Sequence, residues 1–115
     1  MNYEVEKKVW GDTQLIFKTD NISIHRLHIK AGGYCSIHHH EMRHNLFSLE
    51  QGELIVRQWG PDEITTLVAR QTLVVKAQRR HQFEAVTPVV LYEIYYATVN
   101  QDDIVREALG GITGI

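Results

Sequence analysis

The chain has 115 residues, 43% of them hydrophobic and 23% charged, which suits one folded domain over 1–115 that can bury roughly two-thirds of its apolar surface. A net charge of -2 offers no basic excess to neutralise phosphates, so nucleic acid is excluded as a partner, and no apolar run reaches membrane-spanning length, so a membrane is excluded as well. Cys35 is the only cysteine and the N-terminus has no signal-peptide core, so we expect no internal disulfide and a cytoplasmic location.

In chain order, Trp10-Gly11-Asp12 reads as a turn, followed by a short strand at Leu15-Ile16-Phe17. Residues 21–30 have the period-2 pattern of a half-buried strand. Its apolar phase changes midway, from Ile22 and Ile24 to Leu27 and Ile29; a bulge near His25 or burial of both faces would account for this. Ala31-Gly32-Gly33 is a turn, and residues 34–40 are extended. Successive strand side chains point to opposite faces, so His38 and His40 share a face and His39 points away. From Asn45 to Glu50 the pattern alternates again, carrying Asn45 inward with Phe47 and Leu49 and turning His44 outward. Gln51-Gly52 makes a hairpin with the strand at 53–59, and Gly60-Pro61-Asp62-Glu63 is the next turn. Strands follow at 64–68 and 73–75, then a loop at 76–80 leading to His81, a short extended segment at 81–86 and a β-forming run at 89–98.

The tail differs in kind. Asn100 or Asp102 can cap a short helix, Ile104 with Ala108 and Val105 with Leu109 have helical spacing, and Gly110 can close it. Many short strands with frequent turn signals and one terminal helix predict an all-β barrel or sandwich.

Four of the seven histidines lie between His38 and His44. Two imidazoles two residues apart on a strand can share one divalent ion, since imidazole suits zinc, iron, copper and nickel, and carboxylate or amide oxygen can complete the shell. His81, at the start of a strand after a loop, is the candidate third ligand. His28, His39 and His44 read as surface or satisfied residues, and His25 is left open. A tag is a poor explanation of a histidine run that is internal and flanked by strands.

At this point the chain resembles the cupin superfamily. That family's first motif runs G-x5-H-x-H-x3,4-E-x6-G, and Gly32, His38, His40, Asn45 and Gly52 match every spacing, with Asn45 where the family has a glutamate ligand. In the second motif, G-x5-P-x-G-x2-H-x3-N, His81 fits, while Lys76, Gln78 and Ala85 replace proline, glycine and asparagine. The resemblance implies a double-stranded β-helix, or jelly roll, and a metal (Zn, Fe, Mn, Co or Ni) held by His38, His40 and His81 with Asn45 at the fourth position. A narrower resemblance, to the C-terminal cupin domain of type II mannose-6-phosphate isomerases, rests on Trp10-Gly11, Ile29-Lys30-Ala31-Gly32, the histidine run with Arg43, Glu93-Ile94, and Asp102-Asp103-Ile104-Val105-Arg106. The closing Tyr-Gly-Arg of that group is not kept.

That resemblance implies an isomerase or epimerase acting on a small sugar or sugar phosphate, with Glu93 moving a proton and Arg43 and Arg106 meeting the phosphate. Either arginine is equally well a surface salt bridge, and Glu93 an exposed strand residue. Two other readings stand beside it: an Fe(II)-dependent dioxygenase on a three-histidine site, and a non-catalytic cupin that binds a sugar-like ligand. Exposed sheet edges predict a homodimer.

Overall fold

The alternation of apolar and polar residues is realised as thirteen strands in a computed structural model that describes residues 3–97 and 103–114. In chain order these are β1 (Val5–Lys8), β2 (Gly11–Lys18), β3 (Ile22–Ile29), β4 (Gly33–Tyr34), β5 (Ile37–His39), β6 (His44–Gln51), β7 (Glu53–Gln58), β8 (Glu63–Val68), β9 (Thr72–Val75), β10 (His81–Ala85), β11 (Val89–Tyr96), β12 (Val105–Ala108) and β13 (Gly111–Ile112). One sheet has the order β1-β2-β3-β11-β6-β9. The other runs β12-β5-β10-β4-β13, with β7 also paired to β10 and β8 to β7. All the pairings are antiparallel, and non-consecutive strands lie side by side, as in a jelly roll.

The inward faces meet in a core of Trp10, Leu27, Ile29, Cys35, Phe47, Leu49, Leu54, Val56, Leu67, Val75, Phe83, Ala85, Val89 and Leu91. Each fully buried Leu or Phe contributes roughly 1.5–3 kcal/mol over its exposed state. Trp10 and Phe47 both pack edge-on against Phe83, with centroids 5.3 Å and 6.4 Å away. The β6–β7 hairpin needs glycine at its corner: Gly52 has φ +96°, and a Cβ there would lie 2.3 Å from the Pro88 carbonyl oxygen.

Two expectations are corrected. In β3 the odd residues Ser23, Leu27 and Ile29 are buried and Ile22 is exposed, so one parity faces inward throughout. The apparent phase change arises because polar Ser23 and His25 occupy inward positions. β3 pairs with β11 without interruption; an irregularity does fall at His25, but in the pairing with β2, where Leu15 faces His25, Phe17 faces Ile24 and Ile16 is the extra residue. The second correction concerns the tail. Asn100 and Asp102 lie outside the described residues, but Val105–Ala108 is a strand, not a helix, and no helix occurs among the described residues. Pairing with β5, through Val105 opposite His39 and Arg106 opposite His38, gives this backbone its partners. The four residues of β12 are all exposed, so the segment is held here by its backbone pairing and not by side-chain burial. Among the described residues no helix is long and apolar enough to cross a membrane.

Candidate metal centre

His38 on β5 and His81 on β10 are directly opposed across the ladder, which puts their side chains on the same face of the sheet. His40, two residues beyond His38, joins them. The ring centroids are 4.4 Å apart for His38–His81, 5.0 Å for His38–His40 and 5.4 Å for His40–His81. All three are buried, and one ligand nitrogen from each lies within 4.8 Å of the others.

The backbone fixes which nitrogen is offered. Nδ1 of His38 lies 2.9 Å from the Ser36 carbonyl oxygen, that of His40 2.6 Å from the Asp103 carbonyl oxygen and that of His81 2.9 Å from the Arg79 carbonyl oxygen. A carbonyl only accepts, so each Nδ1 carries the proton and each Nε2 keeps its lone pair. The Nε2 atoms of His40 and His81 are buried with no hydrogen-bond partner. Buried acceptors without partners are costly, and a cation would satisfy them. Burial also disfavours the charged rings. It is the main reason that His38 falls to about 2, with help from His81 and His40, that His40 falls to about 3, with help from Arg43, and that His81 falls to about 4. Three neutral, oriented imidazoles fit a borderline divalent ion.

Beside them is a polar group that β6 and β11 bring together. Asn45 is 1% exposed and donates Nδ2–H to Glu93 Oε2 at 3.0 Å, while its Oδ1 is buried with no hydrogen-bond partner. Glu93 faces inward and is buried, and it also accepts a hydrogen bond from the Tyr95 hydroxyl. Burial raises the Glu93 carboxyl above its usual range, against the opposing pull of Tyr95, Asn45 and Arg43. Burial, and then the Glu93 charge, raise the Tyr95 hydroxyl well above its ordinary value. Arg43 is buried, with its guanidinium carbon 3.8 Å from the centre of the Tyr95 ring.

A cavity of about 670 Å³ opens on this arrangement, lined by His38, His81, Arg43, Glu93, Tyr95 and Arg106 among others. Trp10, Leu27, Phe47 and Phe83 add buried apolar side chains to its lining. Arg106 is an exposed residue of β12 directly opposite His38. The sequence-derived candidates His38, His40 and His81 therefore converge, as do Asn45, Glu93 and Arg43, with Arg106 on the cavity wall.

The remaining histidines lie outside the cluster. His39 meets the Glu41 carboxylate at 2.8 Å, His28 meets Asp12 at 3.1 Å, and Nδ1 of His44 accepts the Ala77 N–H at 3.0 Å. His25, left open by sequence, lines the cavity opposite Glu93 in the β3–β11 ladder and is lowered to about 4, mainly by burial. Cys35 is buried and its sulfur accepts the Phe83 N–H at 3.1 Å; burial raises the thiol far above neutrality, which disfavours the thiolate.

Sequence reasoning missed Tyr95 and Asp103. Tyr95 had a signal, since it shares strand parity with Glu93. Asp103, 63 residues from His40, lies in the Asp102–Arg106 run that carries the narrower resemblance, but that run gave no sign of a contact with His40.

No protein-family model matches the chain, and no curated protein matches it. Solved structures do. KdgF from Halomonas sp. superposes with a TM-score of 0.78 at 16% identity, over 87% of this chain and 90% of its own. Oxalate decarboxylase from Bacillus subtilis reaches 0.82 at 10% identity, over 90% of this chain. The fold is the cupin jelly roll. CapF, crystallised with the inhibitor 3-isopropenyl-tropolone, gives 0.77 at 17% identity over 93% of this chain. This chain spans 30% of the oxalate decarboxylase chain and 34% of CapF, against nearly the whole of KdgF. At these identities the likeness establishes the architecture.

Proposed function

We propose that this cupin is a metal-dependent enzyme that moves a proton within a small anionic, sugar-like substrate, in the manner of a sugar-phosphate isomerase or epimerase. The observation that carries this reading is one buried carboxylate, Glu93, lining the same cavity as two of the three oriented histidines. His38, His40 and His81 would hold a divalent ion, with Asn45 Oδ1 as a fourth donor. Once bound, the ion supplies Lewis-acid polarisation of a substrate oxygen.

In an isomerisation Glu93 takes a proton from the carbon beside the carbonyl and returns it to the former carbonyl carbon, while the hydroxyl proton passes from the first carbon's oxygen to the carbonyl oxygen. In an epimerisation the first carbon is reprotonated on its other face, and neither needs an oxidant or reductant. Burial makes its carboxylate a stronger base, and the Tyr95 hydroxyl and Asn45 amide hold its orientation. Arg43 and Arg106 supply positive charge to a substrate phosphate or carboxylate. The apolar wall at Trp10, Phe47 and Phe83 excludes water. Oxalate decarboxylase, named for a small dianion, supports the view that this fold can accommodate such substrates.

Metal content after purification without added metal, combined with an assay of mannose 6-phosphate in deuterated water, tests the proposal. Expected are a stoichiometric divalent ion and Glu93-dependent deuterium incorporation at the carbon beside the carbonyl, lost in Glu93→Gln with metal retained. Absence of bound metal, or exchange that survives Glu93→Gln, overturns it. A second reading, an Fe(II)-dependent dioxygenase, is favoured by the histidine cluster itself, which among the described residues contains no carboxylate. Bound iron with substrate-dependent O2 consumption would select that reading.

A further inference from the structure

Asp103 holds four consecutive residues of the strand-to-loop segment that carries His40. Its carbonyl oxygen accepts the His40 Nδ1–H at 2.6 Å. Its carboxylate accepts the backbone N–H groups of Glu41 at 2.7 Å, Met42 at 2.9 Å and Arg43 at 3.1 Å. Burial pushes this carboxyl up, but the three N–H donors and Arg43 outweigh it and hold the group below the usual aspartate range. Two residues later β12 begins, pairing Val105 with His39 and Arg106 with His38. The C-terminal arm therefore grips both sides of the two-histidine segment.

The rings of the other two ligand candidates take their Nδ1 partners from outside this arm. His38 is tied to Ser36 and His81 to Arg79, each two residues away in sequence. His40 alone depends on a contact across the fold. Without it, its ring is free to adopt the tautomer that protonates Nε2, and the nitrogen that faces the cluster then has no lone pair to offer a cation.

We propose that Asp103 is a positioning residue: by clamping the 41–43 backbone it holds its own carbonyl oxygen on His40 Nδ1, and so fixes the ring's metal-competent tautomer and the start of the Arg43 side chain. The affinity consequence rests on the metal reading of the three histidines, but the tautomer consequence does not.

The test uses the full chain. Ring nitrogen shifts of the histidines in the metal-free protein, by 15N NMR, report each tautomer. In Asp103→Ala, His40 should become a mixture while His38 and His81 keep Nδ1–H. Cobalt(II) titration, followed by its visible absorption, should show affinity reduced about 10- to 100-fold. Asp103→Asn keeps an acceptor of the same shape and should give a smaller change at His40 alone. It decides the question if Asp103→Ala does not fold. An unchanged His40 in the variants, or equal changes in all three rings, overturns the proposal. A parent protein that binds no cobalt refutes the metal reading, while the NMR comparison still settles the role of Asp103.

Discussion

Asn45 on β6 points its amide N–H at the Glu93 carboxylate on β11, 3.0 Å away, and both are buried. The residue at the family's glutamate position is thus a neutral donor to a second carboxylate. Replacing it by aspartate would set two carboxylates at this spacing, and the pair would retain a proton. The folded state would then bind more protons than the unfolded chain, so stability is present at low pH and lost as pH rises. In urea titrations of the metal-free protein, Asn45→Asp should be about 2 kcal/mol less stable than the parent at pH 8, with a smaller deficit at pH 5. An equal deficit at both pH values would contradict the pairing.

Acid stability follows from the histidines. His38, His40, His81 and His25 are held at about 2, 3, 4 and 4, below the unfolded value of 6.5. Below pH 6.5 the unfolded chain takes up protons that these folded rings refuse, so the metal-free protein loses stability as pH falls from there toward 4. The urea midpoint should decline steadily across this range. A midpoint that stays flat between pH 7 and 5 would mean that the rings are accessible to protons.

Metal should stabilise the fold through the same three rings. At one hundred times the dissociation constant a ligand that binds only the native state adds about 2.7 kcal/mol. For a domain of this size that is a rise in Tm of about 10 °C. Zinc or cobalt should produce it in the parent, and His81→Ala should abolish it. Persistence of the shift in that variant would place the ion elsewhere.

Gln78 stands where the second cupin motif has glycine, and it keeps the left-handed backbone, with φ 70°. Its N–H donates to the His40 carbonyl oxygen at 2.5 Å, so the conformation is tied to the site. Valine at this position should be less stable than glycine by about 1–2 kcal/mol, read from chemical denaturation of the Gln78→Gly and Gln78→Val proteins. Equal stabilities would show that the loop has another backbone available.

Association is expected through the outer face of the first sheet. Phe17, Ile24, Ile94, Leu46 and Val74 are successive cross-strand partners from β2 to β9, a row of apolar side chains with Ile94 at its centre. Phe17 is 51% and Val74 43% exposed. A two-fold axis near Ile94 would lay the row on its own copy. Sedimentation should give twice 13.3 kDa for the parent and a monomer for Ile94→Asp. A monomeric parent would remove this expectation.

The sequence by itself determined what depends on periodicity and local spacing. The period of two set the strands, and it placed His38 with His40 and Asn45 with Phe47, because alternate residues of a strand must share a face. Glycine at 52 marked the hairpin, because only a residue without Cβ fits there. Tertiary structure decided everything that depends on which strands become neighbours. It set His81 opposite His38, brought Glu93 against Asn45, and drew the tail into a strand, because an open edge at β5 offered its backbone hydrogen bonds that no helix-spacing argument weighs. It also joined Asp103 to His40. That contact closes a long loop of chain onto a backbone carbonyl, so the run containing Asp103 could carry a resemblance without showing what it touches.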